Sequence, residues 1–310
     1  MIDFWSRAIY PAPMMWLGLG LISALFLGLY DVCKKASLRD NAVLPVLFLA
    51  TVATALPFAG LTLLSQWLGP AVLGRAYVAS VPWAVHGLLM LKSLIVAASW
   101  VCAYFAYKHL PITLGAPIRA AQPVLTLVGA MLIFSERFSL LSWCGMLMAL
   151  GSYFALSIAG QKEGIRFARN GWVGLLLLGT GLGAVSSLYD KYLLCRYDPM
   201  VVQAYFSLYL VVILGGVFAL GWWPRRHQHT PFQWRWTIPA IGLLLAAADY
   251  CYFNALALPG SLIALLSVVR RGNVLVSFAL GALIFKEKNI RHKALALTGV
   301  VVGIILIGLG

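Results

Sequence analysis

The sequence predicts an all-α integral membrane protein of ten transmembrane helices, arranged as two inverted five-helix repeats. Composition, the length of the apolar runs and internal repetition each point there. The chain of 310 residues is 62% hydrophobic and only 10% charged, with a mean hydropathy of +0.91. Soluble globular chains carry about a quarter charged residues, so lipid has to be the solvent for most of this surface. A backbone in lipid must satisfy its own hydrogen bonds, which leaves helices or closed barrels. Apolar runs of about twenty residues select helices, because barrel strands would be about ten residues long and alternate in polarity.

The repetition has three anchors in one order. Leu29-Tyr30-Asp31 returns as Leu188-Tyr189-Asp190, and Tyr104-Phe105 followed by Leu110-Pro111 returns as Tyr252-Phe253 followed by Leu258-Pro259. Leu132-Ile133-Phe134-Ser135-Glu136 returns as Leu283-Ile284-Phe285-Lys286-Glu287, and Arg119 precedes Glu136 by the same distance as Arg270 precedes Glu287. The copies occupy 1–160 and 171–310, joined by the polar connector 161–170. Five spans per copy make the second enter the bilayer from the opposite side, which places a substrate site between the halves.

In the first copy the apolar runs predict helices over 14–34, 41–67, 83–109, 113–134 and 140–159. A Gly/Pro-containing connector, 68–81, is placed at the membrane interface. The second copy predicts helices over 171–195, 199–223, 238–258, 261–285 and 291–309, with a basic, Trp-containing loop over 224–237. Gly299 and Gly303 have the spacing of a close helix crossing. Trp16, Trp67, Trp222 and Trp223 stand at span ends, as interfacial anchors do.

These segments resemble the drug/metabolite transporter superfamily, of the EamA type. The resemblance rests on Tyr104-Phe105-Ala106-Tyr107-Lys108-His109-Leu110-Pro111 at the end of the third helix. It rests also on Ala116 to Val124 with Pro123-Val124 in the fourth, and on Ser135-Glu136-Arg137-Phe138 where that helix ends. The second copy ends its ninth helix in Lys286-Glu287-Lys288 but has Gly272-Asn273 where the family pattern has proline. The resemblance covers the whole chain and implies the ten-helix fold and a transporter. It does not imply a cargo, because fold and cargo are separable.

Several function classes are excluded by composition and motif. The net charge of +14 is scattered over short loops and span ends, so no basic domain is available for a nucleic acid. Cys33, Cys102, Cys144, Cys195 and Cys251 lie in or beside apolar runs, where cysteine acts as a small hydrophobe rather than a disulfide partner. No Cys/His spacing fits a metal site, and no cofactor is expected. The N-terminal decapeptide carries Asp3 and Arg7 ahead of a run long enough to span, so it does not read as a cleaved leader. Without a nucleophile–base pair or a phosphate-binding glycine loop, the chain is not expected to be an enzyme.

Charges inside spans carry the functional reading, since each costs about 2.5–3.5 kcal/mol at a helix centre unless partnered. Arg119 with Gln122, and Arg270 and Arg271 with Asn273, each place arginine and amide on one helix face. Guanidinium suits carboxylate or phosphate, so these residues are the candidate substrate contacts. Tyr104, Trp100 and Tyr252 are candidates to stack on a ligand. Asp31, Lys34 and Lys35, together with Asp190 and Lys191, read either as salt bridges at span ends or as gating and coupling residues. Asp249 reads either as a proton-coupling carboxylate or as the ion-pair partner of Arg270 or Arg271. Three acidic against six or seven basic intramembrane residues, Lys92 being the seventh, leave surplus positive charge that would concentrate anions.

The leading expectation is a secondary carrier in a bacterial cytoplasmic (inner) membrane. It would export a small anionic or zwitterionic metabolite by alternating access and work as a monomer or homodimer with membrane lipids around it. A flippase for an anionic lipid or lipid-linked sugar, engaging the headgroup, is the alternative. A non-transporting scaffold or receptor is the third, and buried repeated charges argue against it. The loops after the fifth, seventh and ninth helices are the basic ones, which by the positive-inside rule puts both termini outside. The family resemblance implies cytoplasmic termini.

Overall fold

The structure is a computed structural model and describes residues 15–109, 118, 122–158, 171–228, 230–273, 275–276, 279–280 and 290–309. Among the described residues every regular element is helical. In chain order these are α1 (Met15–Leu38), α2 (Val43–Trp67), the short α3 (Pro70–Leu73), α4 (Trp83–His109), α5 (Gln122–Phe134) and α6 (Leu140–Ile158). The second half holds α7 (Gly171–Leu194), α8 (Pro199–Val217), α9 (Thr237–Ala257), α10 (Ile263–Arg270) and α11 (Ile290–Leu309). Among the described residues six stretches are long and apolar enough to cross a membrane: Met15–Leu38, Val43–Trp67, Trp83–Ala103, Gly171–Leu194, Pro199–Arg226 and Thr237–Ala257. Gln122–Phe134, Leu140–Ser152 and Thr298–Ile307 are shorter apolar helices.

Local chemistry explains the ends. Pro199 opens α8 at a position where the missing N–H costs nothing, and Asp198 caps it by accepting from the Met200 N–H at 2.8 Å. Asn41 closes the α1–α2 turn against the 230–236 loop: its Nδ2 donates to the Gln233 carbonyl at 2.7 Å and its Oδ1 accepts from the Gln233 N–H at 2.8 Å. The connector after α2 holds α3 and a 3₁₀ turn at Gly74–Ala76. The outer faces are apolar, with Leu56, Leu132, Val212 and Ile305 exposed where lipid tails would lie.

Packing joins early helices to late ones. α1 lies along α9, α4 along α7, and α6 along α11, while α2 packs on α8 and α9, and α4 also on α8. α10 meets α1 and α5, and α5 meets α7. The α6–α11 crossing is close because both helices carry glycine at the contact. A Cβ on Gly145 would meet the Gly303 carbonyl oxygen at 2.6 Å, and one on Gly303 would meet the Gly145 carbonyl at 2.7 Å.

The ninth span departs from expectation. A continuous helix over 261–285 is predicted, but α10 ends at Arg270 and the chain turns at Arg271–Gly272, where the Gly272 N–H bonds the Val269 carbonyl at 2.9 Å. A Cβ at Gly272 would stand 2.9 Å from the Val269 carbonyl oxygen and 3.1 Å from Ile304 Cδ1, so glycine suits the turn. Of the predicted fourth helix, residues 113–117 and 119–121 lie outside the described residues.

Candidate functional site

The interior polar residues gather where α1, α4, α7, α9 and α10 meet. Arg270, at the last position of α10, donates through Nη2 to Asp249 Oδ1 on α9 and through Nε to Ser23 Oγ on α1 at 3.2 Å. Its guanidinium stands over the Tyr252 ring, 4.2 Å from the centroid. Ser23 in turn donates to the Ala248 carbonyl at 2.8 Å. The pair is partly accessible, with 22% of the Arg270 side chain and 14% of the Asp249 side chain exposed.

A second ion pair lies deeper. Lys92 of α4 donates to Asp190 Oδ1 of α7, and only 2% and 8% of these side chains are exposed. The ammonium is also held against aromatic faces, 4.1 Å from the Phe206 centroid and 4.9 Å from that of Phe253. Tyr252, buried and hydrogen-bonded with Ser187, sits within the field of both pairs.

The next contacts extend from the end of α10. Arg271 Nη2 donates to Gln122 Oε1 at 2.6 Å, and Asn273 Nδ2 donates to Asp31 Oδ2 at 2.6 Å. Gln122 reaches in because α7 has glycine there: a Cβ on Gly183 would press on its amide at 3.1 Å. Asp31 also pairs with Lys34 at 3.4 Å, and Lys34 stands over the Tyr30 ring at 4.8 Å. Trp100 stands apart from the arginines, lining with Tyr30 and Lys34 a crevice of about 10 Å³, room for at most one water.

At one end of this cluster Lys191 Nζ donates to the Ser261 carbonyl at 2.6 Å and meets Ser261 Oγ at 3.0 Å. Glu136, on the loop after α5, crosses to the start of α10, where Oε1 accepts from the Ile263 N–H at 2.9 Å and Oε2 from the Ala264 N–H at 3.3 Å. Burial pushes the Glu136 carboxyl up from its ordinary range, against the opposing pull of those N–H groups and of Lys191.

Of the residues singled out from sequence, Arg270 meets Asp249 and Tyr252, Arg271 meets Gln122, and Asn273 meets Asp31, which pairs with Lys34, three groups that start from neighbouring positions at the end of α10. Arg119 lies outside the described residues, as do the side chains of Lys35 and Tyr104. Asp190 and Lys191 do not form a joint salt bridge at the span end. Consecutive helical residues point about 100° apart, and these two take separate partners, Lys92 and Ser261. Lys34, Lys92 and Arg270 each face an aspartate, which accounts for all three acids of the intramembrane tally and leaves the positive excess on the remaining basic residues.

Sequence reasoning left Glu136 as a span terminator and gave Ser23 no role. Its repeated position in both copies was the available signal for Glu136. Ser23 has no signal in an apolar run. A lateral groove of about 630 Å³ was also not foreseen. It runs between α1, α2, α9 and the turn after α3, lined by Phe26, Phe58, Leu61, Met200 and Tyr250, with Arg75 at its rim. Among the described residues no group of three or more His, Cys, Asp or Glu could hold a metal ion.

Comparison with known proteins agrees with this architecture. Residues 14–158 match the model of the EamA-like transporter family. No curated protein matches the chain. Among solved structures 29 chains match. One is a crystal structure 17% identical, with a TM-score of 0.70 over 94% of this chain and 95% of that one. At that identity the likeness carries the fold alone. Residues 14–158, a little under half of the chain, are thus similar to the EamA-like transporter family of the drug/metabolite transporter superfamily, and six helices among the described residues are long and apolar enough to cross a membrane.

Proposed function

We propose that the protein is a ten-span secondary carrier that exports a small zwitterionic or anionic metabolite across a bacterial cytoplasmic membrane. Its halves, 1–160 and 171–310, rock around a site centred on Arg270, Arg271 and Asp249. The observation that carries the reading is that the interior charged contacts stitch one half to the other. Lys92 meets Asp190, Arg270 meets Ser23, Arg271 meets Gln122, and Asn273 meets Asp31. The packing supports an inverted repeat, because exchanging the halves turns the most extensive contacts into other observed ones. α1 on α9 becomes α7 on α4, and α1 on α10 becomes α7 on α5.

The paired charges favour a zwitterion over a simple anion. A cargo carboxylate can replace Asp249 on the Arg270 fork while the cargo ammonium takes the released Asp249, so neither group loses its partner on binding. Asp31, Asp190 and Asp249 are the groups available for gating or proton coupling. The test is the melting point of the purified protein against a panel of zwitterionic, anionic and cationic metabolites. A cargo that binds only the folded state raises Tm by mass action. Zwitterions should raise it in the parent and fail to do so in Arg270→Gln. Stabilisation by cations, or by zwitterions undiminished in that variant, would overturn the reading.

The groove favours a second reading, a flippase for an anionic amphiphile. Its apolar wall suits a tail, Arg75 suits a headgroup, and Tyr250 and Cys251 in its lining are sequence neighbours of Asp249 and Tyr252. Stabilisation by a long-chain phosphorylated amphiphile, but not by its soluble headgroup, would distinguish it.

A further inference from the structure

We infer that Glu136 is a positioning residue for Arg270 and Arg271: by clamping the N-terminus of α10 it sets where the arginines at the other end of that helix stand. The inference rests on the reading of those arginines as the transport site, although its test needs no cargo.

α10 cannot hold itself. It has eight residues, well short of the ~12–15 at which an isolated helix becomes even marginal. Its leading N–H groups have no partner within the helix. Leu262, at the N-cap position, supplies no side-chain bond. Both N–H groups that Glu136 takes belong to residues with no exposure, Ile263 and Ala264, so water has no path to replace the carboxylate. The carboxylate also lies at the end of the helix where backbone dipoles favour negative charge.

The clamp comes from the other half of the chain. Glu136 follows Ser135, whose φ of +52° is uncommon for a residue other than glycine. That turn aims Glu136 across the bundle rather than along α5. Lys191 fixes the turn leading into α10 through Ser261. Seven residues further along, about 10 Å away at 1.5 Å per residue, Arg270 grips Ser23 and Asp249. A short rigid rod tied at one end moves at the other when the tie is cut, and both guanidinium groups are carried with it. Any rocking that draws the loop after α5 away from α10 must break the same two bonds, which couples the arginines to the opening of that face.

The test is disulfide trapping in a variant with the five native cysteines replaced. A Cβ on Gly20 of α1 would stand 4.0 Å from Val269 Cβ on α10, within the range of about 3.5–4.5 Å that a disulfide needs. The pair Gly20→Cys with Val269→Cys therefore reports the seat of α10. Gly299→Cys with Ser152→Cys, between α11 and α6, is the control, with Cβ atoms 3.3 Å apart, about 0.2 Å below the lower end of that range and closed by a small shift of the two helices. Glu136→Gln, which keeps one acceptor, should lower the reporter yield several-fold and leave the control unchanged, and Glu136→Ala should lower it further. An undiminished reporter yield in Glu136→Gln would sink the inference, as would an equal fall in both pairs, which marks general loosening. The Gln variant decides the matter if the Ala variant does not fold. Trapping can fail while a zwitterion still stabilises the protein through Arg270, and it can succeed when no cargo is found, so the two readings fail separately.

Discussion

The two interior ion pairs are built for different tasks, and single substitutions should separate them. Lys92–Asp190 is sealed between aromatic rings, with side-chain exposures of 2% and 8%. Lys92→Met leaves Asp190 buried without a counter-charge and should cost about 3–5 kcal/mol, while Lys92→Met with Asp190→Leu should recover most of it. Reversible denaturation in detergent measures both. Arg270–Asp249 keeps some access to water, so Arg270→Gln should disturb ligand response more than stability. The pairing of Asp249 with Arg270 or Arg271 was one of two readings open from sequence, because Asp249 is an isolated charge in an apolar run. Lys92–Asp190 was not legible: the partners lie 98 residues apart, and no local periodicity links a lysine on one helix to an aspartate on another.

At the scale of elements, span positions follow from run length, and the ends of α1, α2, α7 and α9 fall close to where hydropathy puts them. The break in the ninth span does not follow, because it comes from tertiary contacts. Gly272 turns where a Cβ would press on the Val269 carbonyl oxygen and on Ile304 of α11, and the helix before it is held by Glu136 from the first half. Gly299 and Gly303 were legible as a packing face, and α11 does bring them against Ser152 and Gly145 of α6. Gly303→Leu should therefore cost at least the about 1–3 kcal/mol of an overpacked contact, since its Cβ alone would lie 2.8 Å from the Ala149 backbone nitrogen. A drop in Tm and in monodisperse yield checks this. Gly60→Leu on α2, where nothing lies within 4 Å, should leave both nearly unchanged.

For the whole molecule, three short motifs predict the repeat, and α1 on α9 beside α7 on α4 is packing that such a repeat would give. Orientation follows from charge rather than from shape. Arg225, Arg226 and Arg235 lie in the α8–α9 loop, and Arg75, Arg137 and Arg196 in loops that the alternation of spans puts on the opposite side. The positive-inside rule predicts both termini outside whereas the family resemblance implies them in the cytoplasm, and a C-terminal reporter active only in the external compartment decides: activity supports the charge reading and silence the family one. The central claim is that cargo moves through the arginine–aspartate site between the halves. Counterflow in liposomes tests it most directly: vesicles loaded with unlabelled zwitterionic metabolites are given trace labelled counterparts, with parent protein or Arg270→Gln. The account predicts transient accumulation of at least one zwitterion by the parent and at least a tenfold lower rate in the variant, roughly the ~1.4 kcal/mol of one lost charge-assisted bond. Accumulation that is equal in both proteins, or confined to cations, would contradict it.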